Sequence, residues 1–512
     1  MLFTHVDRTA RLSLSGSNQA FLIDDGWDDF HLKTMFELVV FDAKGRRYKA
    51  GNVKILYRGL ESGRVEIPSS FDELGTDYCS LGQDENYYET IAALPGALGD
   101  RVLRGLCDCV RDSTVFDSFR DEPGFRTSLL RFVSEDALKS AFPGALQGQA
   151  RLTPFRFVYT LSPRRDAVDV PLTFDVNPTS MPPTNVHVVI GRNGVGKTRL
   201  LGNIASVLCG AQRETATVGD GRLEFIKLKE NETVGERFTN LIAVTFSAFD
   251  PFLTPDSSDE TRRNVRYTYV GLKTLPNSID GRPAVPRAAR NKQTEELSSE
   301  FGESLANCLS GPRQLRWIRC IETLETDPGF QELDIPSTVL REDALNAITG
   351  IFANASAGHK IVMLILTRLV ELAEDKTLVL IDEPEAHLHP PLLSSFVRAL
   401  SYLLTLRNSV AIVSTHSPVV LQEVPRACVW MLRRSGESVS AERPEIETFG
   451  ENVGVLTREV FGLEVTKSGF HSLIAKQVER SPKNYEGVLD AFGKHLGAEA
   501  KGIARALTQL EE

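Results

Sequence analysis

A glycine-rich stretch at residues 191–198 carries the most specific chemical pattern in the sequence. It reads GRNGVGKT, which fits G-x-x-x-x-G-K-[ST], and it lies between an apolar strand candidate at 186–190 and an amphipathic helix candidate. In that setting glycines let backbone N–H groups surround phosphates at a helix N-terminus, a lysine adds positive charge, and a threonine hydroxyl can bind Mg²⁺. We therefore predict a site for ATP and Mg²⁺. The candidate ATP-binding residues are Gly191, Asn193, Gly194, Gly196, Lys197 and Thr198, and Thr198 is also a candidate metal ligand.

Two acids follow another apolar strand candidate, which reads LVLIDE at residues 378–383. Ligands of open parallel sheets bind at the carboxyl ends of the strands, so these acids are expected beside residues 191–198. Asp382 is the candidate second metal ligand, and Glu383 is the candidate general base for the attacking water. A strand that ends in acids is common, but the combination with the glycine-rich stretch is specific.

A histidine follows the strand candidate at 410–414, where the sequence continues as THSP. The strand end places His416 on the same edge of the sheet as the two acids, within reach of a γ-phosphate and the attacking water. The alternative is a histidine that only caps a turn. We favour the catalytic interpretation and take Glu383 and His416 as the candidate catalytic residues.

Four motifs occur in one order: GRNGVGKT, ASAGHK at 355–360, LVLIDEPE and STHSP. Together they resemble the ABC-type ATPase heads of the SMC group, whose signature motif is typically L-S-G-G-[EQ]-[KR]. The resemblance implies that Ser356 and Gly358 bind the γ-phosphate of an ATP held by another protomer. It therefore implies a homodimer, or a higher oligomer, with ATP between two heads. The signature departs from the family pattern at Ala355, Ala357 and His359.

Two further elements of that family are less regular here. The stretch after the strand candidate at 241–246 contains no glutamine, so Ser247 or Asp250 is expected in place of the glutamine that the family has near Mg²⁺. The turn after Glu383 contains His387 and His389, which could form part of a metal site. A His-x-His pair without a third ligand is weak support for a metal, so a role in dimer contact is preferred.

The motifs DEPEAHLHP and STHSPVVLQEVP also resemble the corresponding motifs of compact ATPases from bacterial anti-phage systems. These are the overcoming-lysogenisation family and, above all, the PtuA-type ATPases of Septu systems, some of which are retron-associated. Overcoming-lysogenisation proteins carry a Toprim nuclease that needs an Asp-x-Asp cluster. Here the sequence after His416 has a single aspartate, Asp490, so it has no such cluster. The resemblance thus implies an ATPase subunit of a defence complex that regulates a separate nuclease, such as an HNH nuclease.

The elements that must position these residues suggest an α/β fold with several regions. We predict an ABC-type P-loop ATPase head with a mainly parallel sheet, a β-rich plus helical N-terminal region, a helical insertion and a helical C-terminal tail. In the tail the candidate packing residues are Leu473, Val478, Val488, Leu489 and Phe492. The predicted boundaries are 1–150 for the N-terminal region, 151–250 and 346–450 for the ATPase, 251–345 for the insertion and 451–512 for the tail.

Composition limits the partners. The 512 residues carry a net charge of −10, which argues against a constitutive binder of polyanions, although basic stretches at 261–266 and 282–292 could contact RNA or DNA. No apolar run is long enough to cross a bilayer, and the first residues do not resemble a signal peptide. Seven unpatterned cysteines suggest reduced, buried thiols. We therefore expect a cytoplasmic protein without a membrane partner.

Three alternatives remain open at this point. A recombination-mediator-type DNA-repair ATPase without long coiled coils would be favoured if the basic stretches line a DNA-facing groove. A transporter nucleotide-binding subunit is disfavoured by the missing glutamine and the long N-terminal region. A scaffold that binds ATP without hydrolysing it is disfavoured by the intact Asp382–Glu383 pair and mildly favoured by the altered signature.

Overall fold

The computed structural model describes most of the chain. The described residues are 1–7, 14–133, 137–146, 152–161, 169–209, 221–226, 238–245, 265–274, 290–436, 438–465, 469–480, 484–493 and 495–509. Among these residues, no helix combines the length and the apolar character that crossing a bilayer requires.

The N-terminal lobe is a sheet of six strands covered by helices. At its centre β4 (Met35–Phe41) and β5 (Arg47–Tyr57) pair antiparallel as a hairpin, and every residue of β4 is buried because hydrophobic clusters cover both of its faces. The sheet order is β7-β1-β2-β4-β5-β8, with π-helical segments at Phe125–Leu129 and Ala137–Ala141. The elements are β1 Leu2–Val6, β2 Gln19–Asp24, β3 Leu32–Lys33, β4 Met35–Phe41, β5 Arg47–Tyr57, β6 Gly63–Arg64, β7 Ser70–Phe71, β8 Tyr78–Gly82, α1 Glu85–Ala92, α2 Leu98–Gly105, α3 Ser113–Phe119 and α4 Phe142–Leu146.

The rest of the chain forms a second lobe, which we call the head, and the helical tail. Two short 3₁₀ turns, Pro384–His387 and Arg426–Cys428, connect elements of the head. The elements are β9 Phe155–Leu161, β10 Val170–Val176, β11 Val186–Gly191, α5 Lys197–Leu208, β12 Arg222–Ile226, β13 Asn240–Thr245, β14 Arg266–Gly271, α6 Thr294–Cys308, α7 Pro312–Leu324, α8 Pro328–Gln331, α9 Ile335–Thr338, α10 Ala344–Asn354, α11 Ala357–Leu372, β15 Thr377–Asp382, α12 Pro390–Leu406, β16 Val410–Thr415, α13 Pro418–Leu421, β17 Val429–Ser435, β18 Ser438–Glu442, α14 Val453–Val465, α15 Gly469–Arg480, α16 Tyr485–Ala491 and α17 Ala498–Gln509.

The central sheet of the head confirms the predicted α/β class. Its strand order is β14-β13-β15-β16-β11-β17-β18, and all neighbours are parallel except the last pair. Every residue of strands β11, β13, β15 and β16 is buried, because other elements of the fold pack on both faces of the sheet. One face packs on α6, α7 and α10–α12; the other packs on α5 and on the antiparallel sheet β10-β9-β12.

The region expected as an insertion, 251–345, is packed closely with the head where the structure describes it. Strand β14 forms the edge of the central sheet beside β13. Helices α6 and α7 pack on α11 and α12, and their buried Phe301 and Trp317 belong to the same hydrophobic cluster as the central strands. The apolar residues of α6 recur at helical spacing within a polar sequence, which conceals how much of this helix is buried.

A buried ionic group joins the N-terminal lobe to the head. Arg407, directly after α12, donates to Glu85 and, at 2.6 Å, to Glu89, both on α1. Arg316 of α7 donates to the second oxygen of Glu89 at 2.7 Å. The backbone N–H of Asp375, just before β15, donates to Glu85 Oε2 at 2.8 Å. We call these four side chains, Glu85, Glu89, Arg316 and Arg407, the seam cluster.

The tail from residue 451 is helical, as predicted, and has a small core of its own. Val478 and Val488 are buried in this core, and Phe492 packs against it. The expectation for Leu473 was wrong, since its side chain is 59% exposed. Helix α15 instead turns the next residue, Ile474, inward, four positions before Val478 on the same helix face. The seven cysteines are free thiols, and all are buried except Cys107, which is partly exposed.

Candidate nucleotide site

The phosphate loop, residues 191–198, connects β11 to α5. Gly194 and Gly196 have φ angles of 78° and 108°, a left-handed conformation that favours glycine. Gly191 pairs with β17 so closely that a Cβ would lie 2.6 Å from the carbonyl oxygen of Leu432. Lys197 is buried, and its Nζ donates to the carbonyl oxygens of Gly191 at 3.0 Å and of Arg192 at 3.3 Å. The ammonium group is therefore held inside the loop, while Asn193 is exposed.

Asp382 lies at the carboxyl end of β15, opposite Ser414 of β16 and Thr245 of β13. It is fully buried, and its Oδ1 accepts a hydrogen bond from Ser414 Oγ at 2.5 Å. Burial raises the pKa of Asp382, and the hydroxyls of Ser414 and Thr198 offset only part of that rise. Its Oδ2 is buried and has no hydrogen-bond partner within the described part of the chain.

These groups fit a bound Mg²⁺. A buried carboxylate oxygen without a partner, close to a threonine hydroxyl, matches the oxygen ligands that Mg²⁺ prefers. Asp382 and Thr198 would hold the ion, which when bound neutralises charge on the phosphates of the nucleotide. Sequence reasoning missed Ser414, which holds the carboxylate in place; its position at a strand end beside THSP was the only available signal.

Glu383 directly follows β15 in a left-handed conformation with φ of 45°. Its backbone N–H donates to the carbonyl oxygen of Ser414 at 2.9 Å, so its conformation is fixed by β16. The Glu383 Oε1 atom is 3.9 Å from Lys197 Nζ and 3.7 Å from His416 Nδ1. Its side chain is only partly buried, so the carboxylate can reach both the phosphate loop and solvent water. The structure thus brings Lys197, Glu383 and His416 together.

Glu385 was missed by sequence reasoning and organises this edge of the sheet. Its Oε1 accepts hydrogen bonds from Thr415 Oγ1 and from the backbone N–H of His416, both at 2.7 Å. The same oxygen is 3.0 Å from His416 Nδ1. A carboxylate in this position directs the other ring nitrogen, Nε2, away from the turn. The only sequence signal was an acid two residues after the candidate base.

Ser356 and Gly358 begin helix α11 but lie at a different place from the phosphate loop. The Ser356 hydroxyl caps the helix by accepting from the backbone N–H of His359 at 3.3 Å, and the residue is exposed. A Cβ on Gly358 would lie 2.8 Å from the carbonyl oxygen of His387, so only glycine allows this contact with the turn after Glu383. Neither residue has a hydrogen bond with the phosphate loop among those that the structure describes.

The two histidines of the turn take different positions. His389 Nδ1 accepts from the backbone N–H of Leu392 at 3.1 Å and so caps α12, which leaves Nε2 protonated at 3.4 Å from the buried Asp327. His387 is exposed. In the described ranges no group of three or more potential metal-binding side chains occurs. Ser247 and Asp250 lie outside the described residues, as do most of the basic stretches at 261–266 and 282–292.

Part of the head matches a known protein family, and the chain has weak similarity to solved structures. Residues 186–422 match the family described as "AAA domain, putative AbiEii toxin, Type IV TA system". Among solved structures, an inward-facing putative metal-chelate type ABC transporter covers 60% of the chain and 90% of its own at 14% identity and a TM-score of 0.29. The ADP conformation of an ATP-binding cassette of an ABC transporter covers 53% and 85% at 13% identity and a TM-score of 0.25. Superpositions this weak do not define the fold.

A full-length relative is far more informative. Protein ea59 of Escherichia phage lambda is 36% identical over 529 residues, which covers 99% of the chain and 98% of that protein. The matched AAA family begins at β11 and includes the phosphate loop, Asp382, Glu383 and His416. Together with the geometry of the site, the match to an AAA domain over residues 186–422 identifies a nucleotide-binding P-loop ATPase. The chain belongs to the same family as protein ea59 of Escherichia phage lambda.

Proposed function

We propose that this ATPase is the regulatory subunit of a cytoplasmic anti-phage defence complex. It dimerises around ATP and thereby controls a separate effector nuclease, of the HNH type that the Septu resemblance implies. The observation that carries the proposal is the exposed start of α11: Ser356, which is exposed, and Gly358 have no described hydrogen bond with the phosphate loop of the same chain, and we assign them to the nucleotide of another protomer. A second protomer completes such a half-site.

The residues at the edge of the sheet divide the chemistry among them. Lys197 exchanges its two carbonyl partners for the phosphates of ATP, since a charged acceptor binds an ammonium more strongly. Glu383 accepts a proton from the attacking water, for which its partly exposed position beside Lys197 is suitable. His416, held through Nδ1 by Glu385, presents Nε2 to the attacking water beside the γ-phosphate.

The second protomer supplies the other half of each site. The N-terminus of α11 presents unpaired backbone N–H groups and the helix dipole, which together favour a phosphate. Gly358 ties this helix start to the carbonyl oxygen of His387, in the turn that follows Glu383. Hydrolysis in one site therefore acts on the turn that lies beside the same chain's signature, which serves the other ATP site. Symmetry gives two equivalent ATP sites per dimer.

The defence role rests on three observations. The AAA family that the chain matches is described by a toxin of a type IV toxin–antitoxin system, which is a two-component arrangement. A full-length relative is found in a phage. Asp490 is the single aspartate among residues 417–512, so these residues hold no Asp-x-Asp cluster, and we assign the nuclease activity to a separate effector. Contact with RNA or DNA is part of the same proposal.

A complementation experiment tests the shared site. Ser356→Arg and Lys197→Ala are each expected to hydrolyse almost no ATP, for different reasons: the first blocks the partner's phosphate, and the second loses its own. Mixed in equal amounts, they form heterodimers with one intact site, so about a quarter of wild-type activity returns if dimers form at random. Ser118→Arg, at an exposed position of α3 in the N-terminal lobe, is the matched control and is expected to keep full activity. No recovery in the mixture, or normal hydrolysis by Ser356→Arg alone, contradicts the shared site.

A tagged purification from the native host tests the defence role. We expect a nuclease subunit to copurify, in larger amount with Glu383→Gln, which is expected to hold ATP between the heads. Recovery of recombination proteins on gapped DNA without a nuclease contradicts the proposal. It would support the alternative, a recombination-mediator-type repair ATPase. That alternative depends on basic stretches of which only 265–266 and 290–292 are described.

A further inference from the structure

A cavity of about 460 Å³ lies between the N-terminal lobe and the head, away from the phosphate loop. Trp27, Arg131 and Phe132 of the lobe line one part of it, and Arg266 and Thr268 of β14 line another. Its volume suits a ligand of the size of a nucleotide. The proposal below goes beyond the ATPase function and does not require the nuclease partner.

A cation surrounded by aromatic rings forms the lobe side of this cavity. The Arg131 guanidinium lies 5.8 Å from the ring centre of Trp27, 4.5 Å from that of Phe30 and 5.0 Å from that of Phe132. Trp27 is 44% exposed and Phe30 49% exposed. We call Trp27, Phe30, Arg131 and Phe132 the aromatic platform. Large aromatic side chains that remain this exposed beside a cavity are typical of binding sites.

A buried ion pair holds the aromatic platform in place. Asp29 and Lys54 are both fully buried and are 2.7 Å apart. Asp29 Oδ1 accepts from Trp27 Nε1 at 2.7 Å and from Arg131 at 2.9 Å. A buried ion pair contributes little net stability compared with apolar side chains of similar size. Its specific effect here is to fix the indole and the guanidinium in one arrangement before a ligand arrives.

Polar groups of defined type line the rest of the cavity. Gln83 donates from Nε2 to two backbone carbonyls, whereas its buried Oε1 has no hydrogen-bond partner among the described residues. Arg266 supplies a second guanidinium, whose Nη1 lies 3.5 Å from Glu374 Oε1, so a bound phosphate would share this cation with Glu374. Asp84, which also lines the cavity, is engaged by Arg313 and by the backbone of α1. The cavity thus combines aromatic faces, an unused acceptor and two guanidiniums.

We propose that this cavity binds an unpaired nucleotide, whose base stacks on the aromatic platform and whose phosphate meets Arg266. Stacking on exposed aromatic rings and contact with arginines are the usual means of holding unpaired bases. The Gln83 acceptor adds a hydrogen bond to an amino group on the base edge. The nucleotide is either free or part of a single strand, and both present the same chemistry.

Binding can be measured with the phosphate loop disabled. The full chain carrying Lys197→Ala is titrated into a fluorescent single-stranded DNA of about ten nucleotides, and anisotropy is recorded. We expect Trp27→Ala in this background to weaken binding about 5- to 150-fold, the loss associated with one base–aromatic stack. Phe470→Ala removes an equally exposed ring (45%) on α15 and is expected to leave binding unchanged. Unchanged binding in Trp27→Ala, or no binding of any probe, overturns the proposal.

Two additional measurements keep the result interpretable. Arg266→Ala lies on an exposed strand edge and is expected to weaken binding and to reduce its salt dependence by about one phosphate contact, even if Trp27→Ala proves unstable. Competition with adenosine monophosphate identifies the source of the ligand. Full displacement of the strand assigns the cavity to free nucleotides, and retention of the strand assigns it to single-stranded nucleic acid. Failure of the ATPase proposals would leave all of these outcomes unaffected.

Discussion

The two ends of strand β15 carry buried carboxylates in opposite situations. At its carboxyl end Asp382 forms no ion pair among the described residues, one of its oxygens has no hydrogen-bond partner there, and burial raises its pKa, which Lys197 offsets only in part. Before its amino end the seam cluster holds Glu85 and Glu89 against Arg316 and Arg407. Burial also raises the pKa of Glu89, but the two guanidiniums outweigh it and lower that pKa to about 2.

This difference separates a carboxylate that is ready for a ligand from one that holds the structure together. An unpaired buried carboxylate costs stability until a cation binds, and such costs are concentrated at functional sites. A paired carboxylate has its cations permanently within the fold, so its removal damages the fold instead. Substitutions at the two ends of β15 should therefore change the free energy of unfolding by different amounts and in opposite directions.

The largest effect is expected on catalysis, from Glu383→Gln beside Asp382. Loss of a general base lowers turnover by about 10²- to 10⁴-fold while ATP binding persists. The thermal midpoint should hardly change, because Glu383 is partly exposed and its backbone bond to Ser414 remains. Steady-state hydrolysis and calorimetry on one preparation measure both. Wild-type turnover in this variant would assign the base to another residue.

At the seam, Arg407→Met should reduce the free energy of unfolding by about 3–5 kcal/mol, because two buried carboxylates lose a shared cation. Denaturant titration gives this value. The matched control is Arg341→Met, which breaks an exposed pair with Asp343 and should cost less than about 1 kcal/mol. Equal losses in the two variants would mean that the seam cluster does not hold the lobe to the head.

In the absence of nucleotide, Asp382→Asn should change the free energy of unfolding in the opposite direction from Arg407→Met. Removal of the unpaired buried charge is expected to raise the free energy of unfolding by about 1 kcal/mol, while Mg²⁺-dependent hydrolysis is lost. Denaturant titration without Mg²⁺ and hydrolysis with Mg²⁺ are the two measurements. A destabilised Asp382→Asn would show that the carboxylate is already satisfied within the fold.

The smallest effect is a dependence of the free energy of unfolding on pH, with opposite signs at Glu89 and at Asp382. The pKa of Glu89 is lowered from 4.5 to about 2, so its stabilisation is present above 4.5 and is lost as pH falls between these values. The pKa of Asp382 is raised, so its contribution favours the folded state at low pH and is lost as pH rises through the raised value. The Glu89→Gln deficit and the Asp382→Asn gain should both shrink on acidification. If the Glu89→Gln deficit or the Asp382→Asn gain grows on acidification, the assigned charge state of that carboxylate is wrong.

The carboxyl end of β15 could be predicted from sequence, whereas the seam could not. The phosphate loop, Asp382 and His416 follow local patterns, because a strand, a turn and a helix N-terminus are encoded by neighbouring residues. Glu85 and Arg407 are separated by 322 residues, and nothing local marks either as the other's partner. Glu385 was missed for a similar reason, since its partners lie on β16.

Helix α12 connects the turn after Glu383 to the seam cluster. It begins at His389, in the turn that touches the signature glycine, and it ends at Arg407 in the seam cluster. Its 17 residues form a stiff rod about 26 Å long. Because a stiff helix that is held at both ends moves as a unit, a displacement of the turn is expected to reach the seam cluster and, through it, the N-terminal lobe.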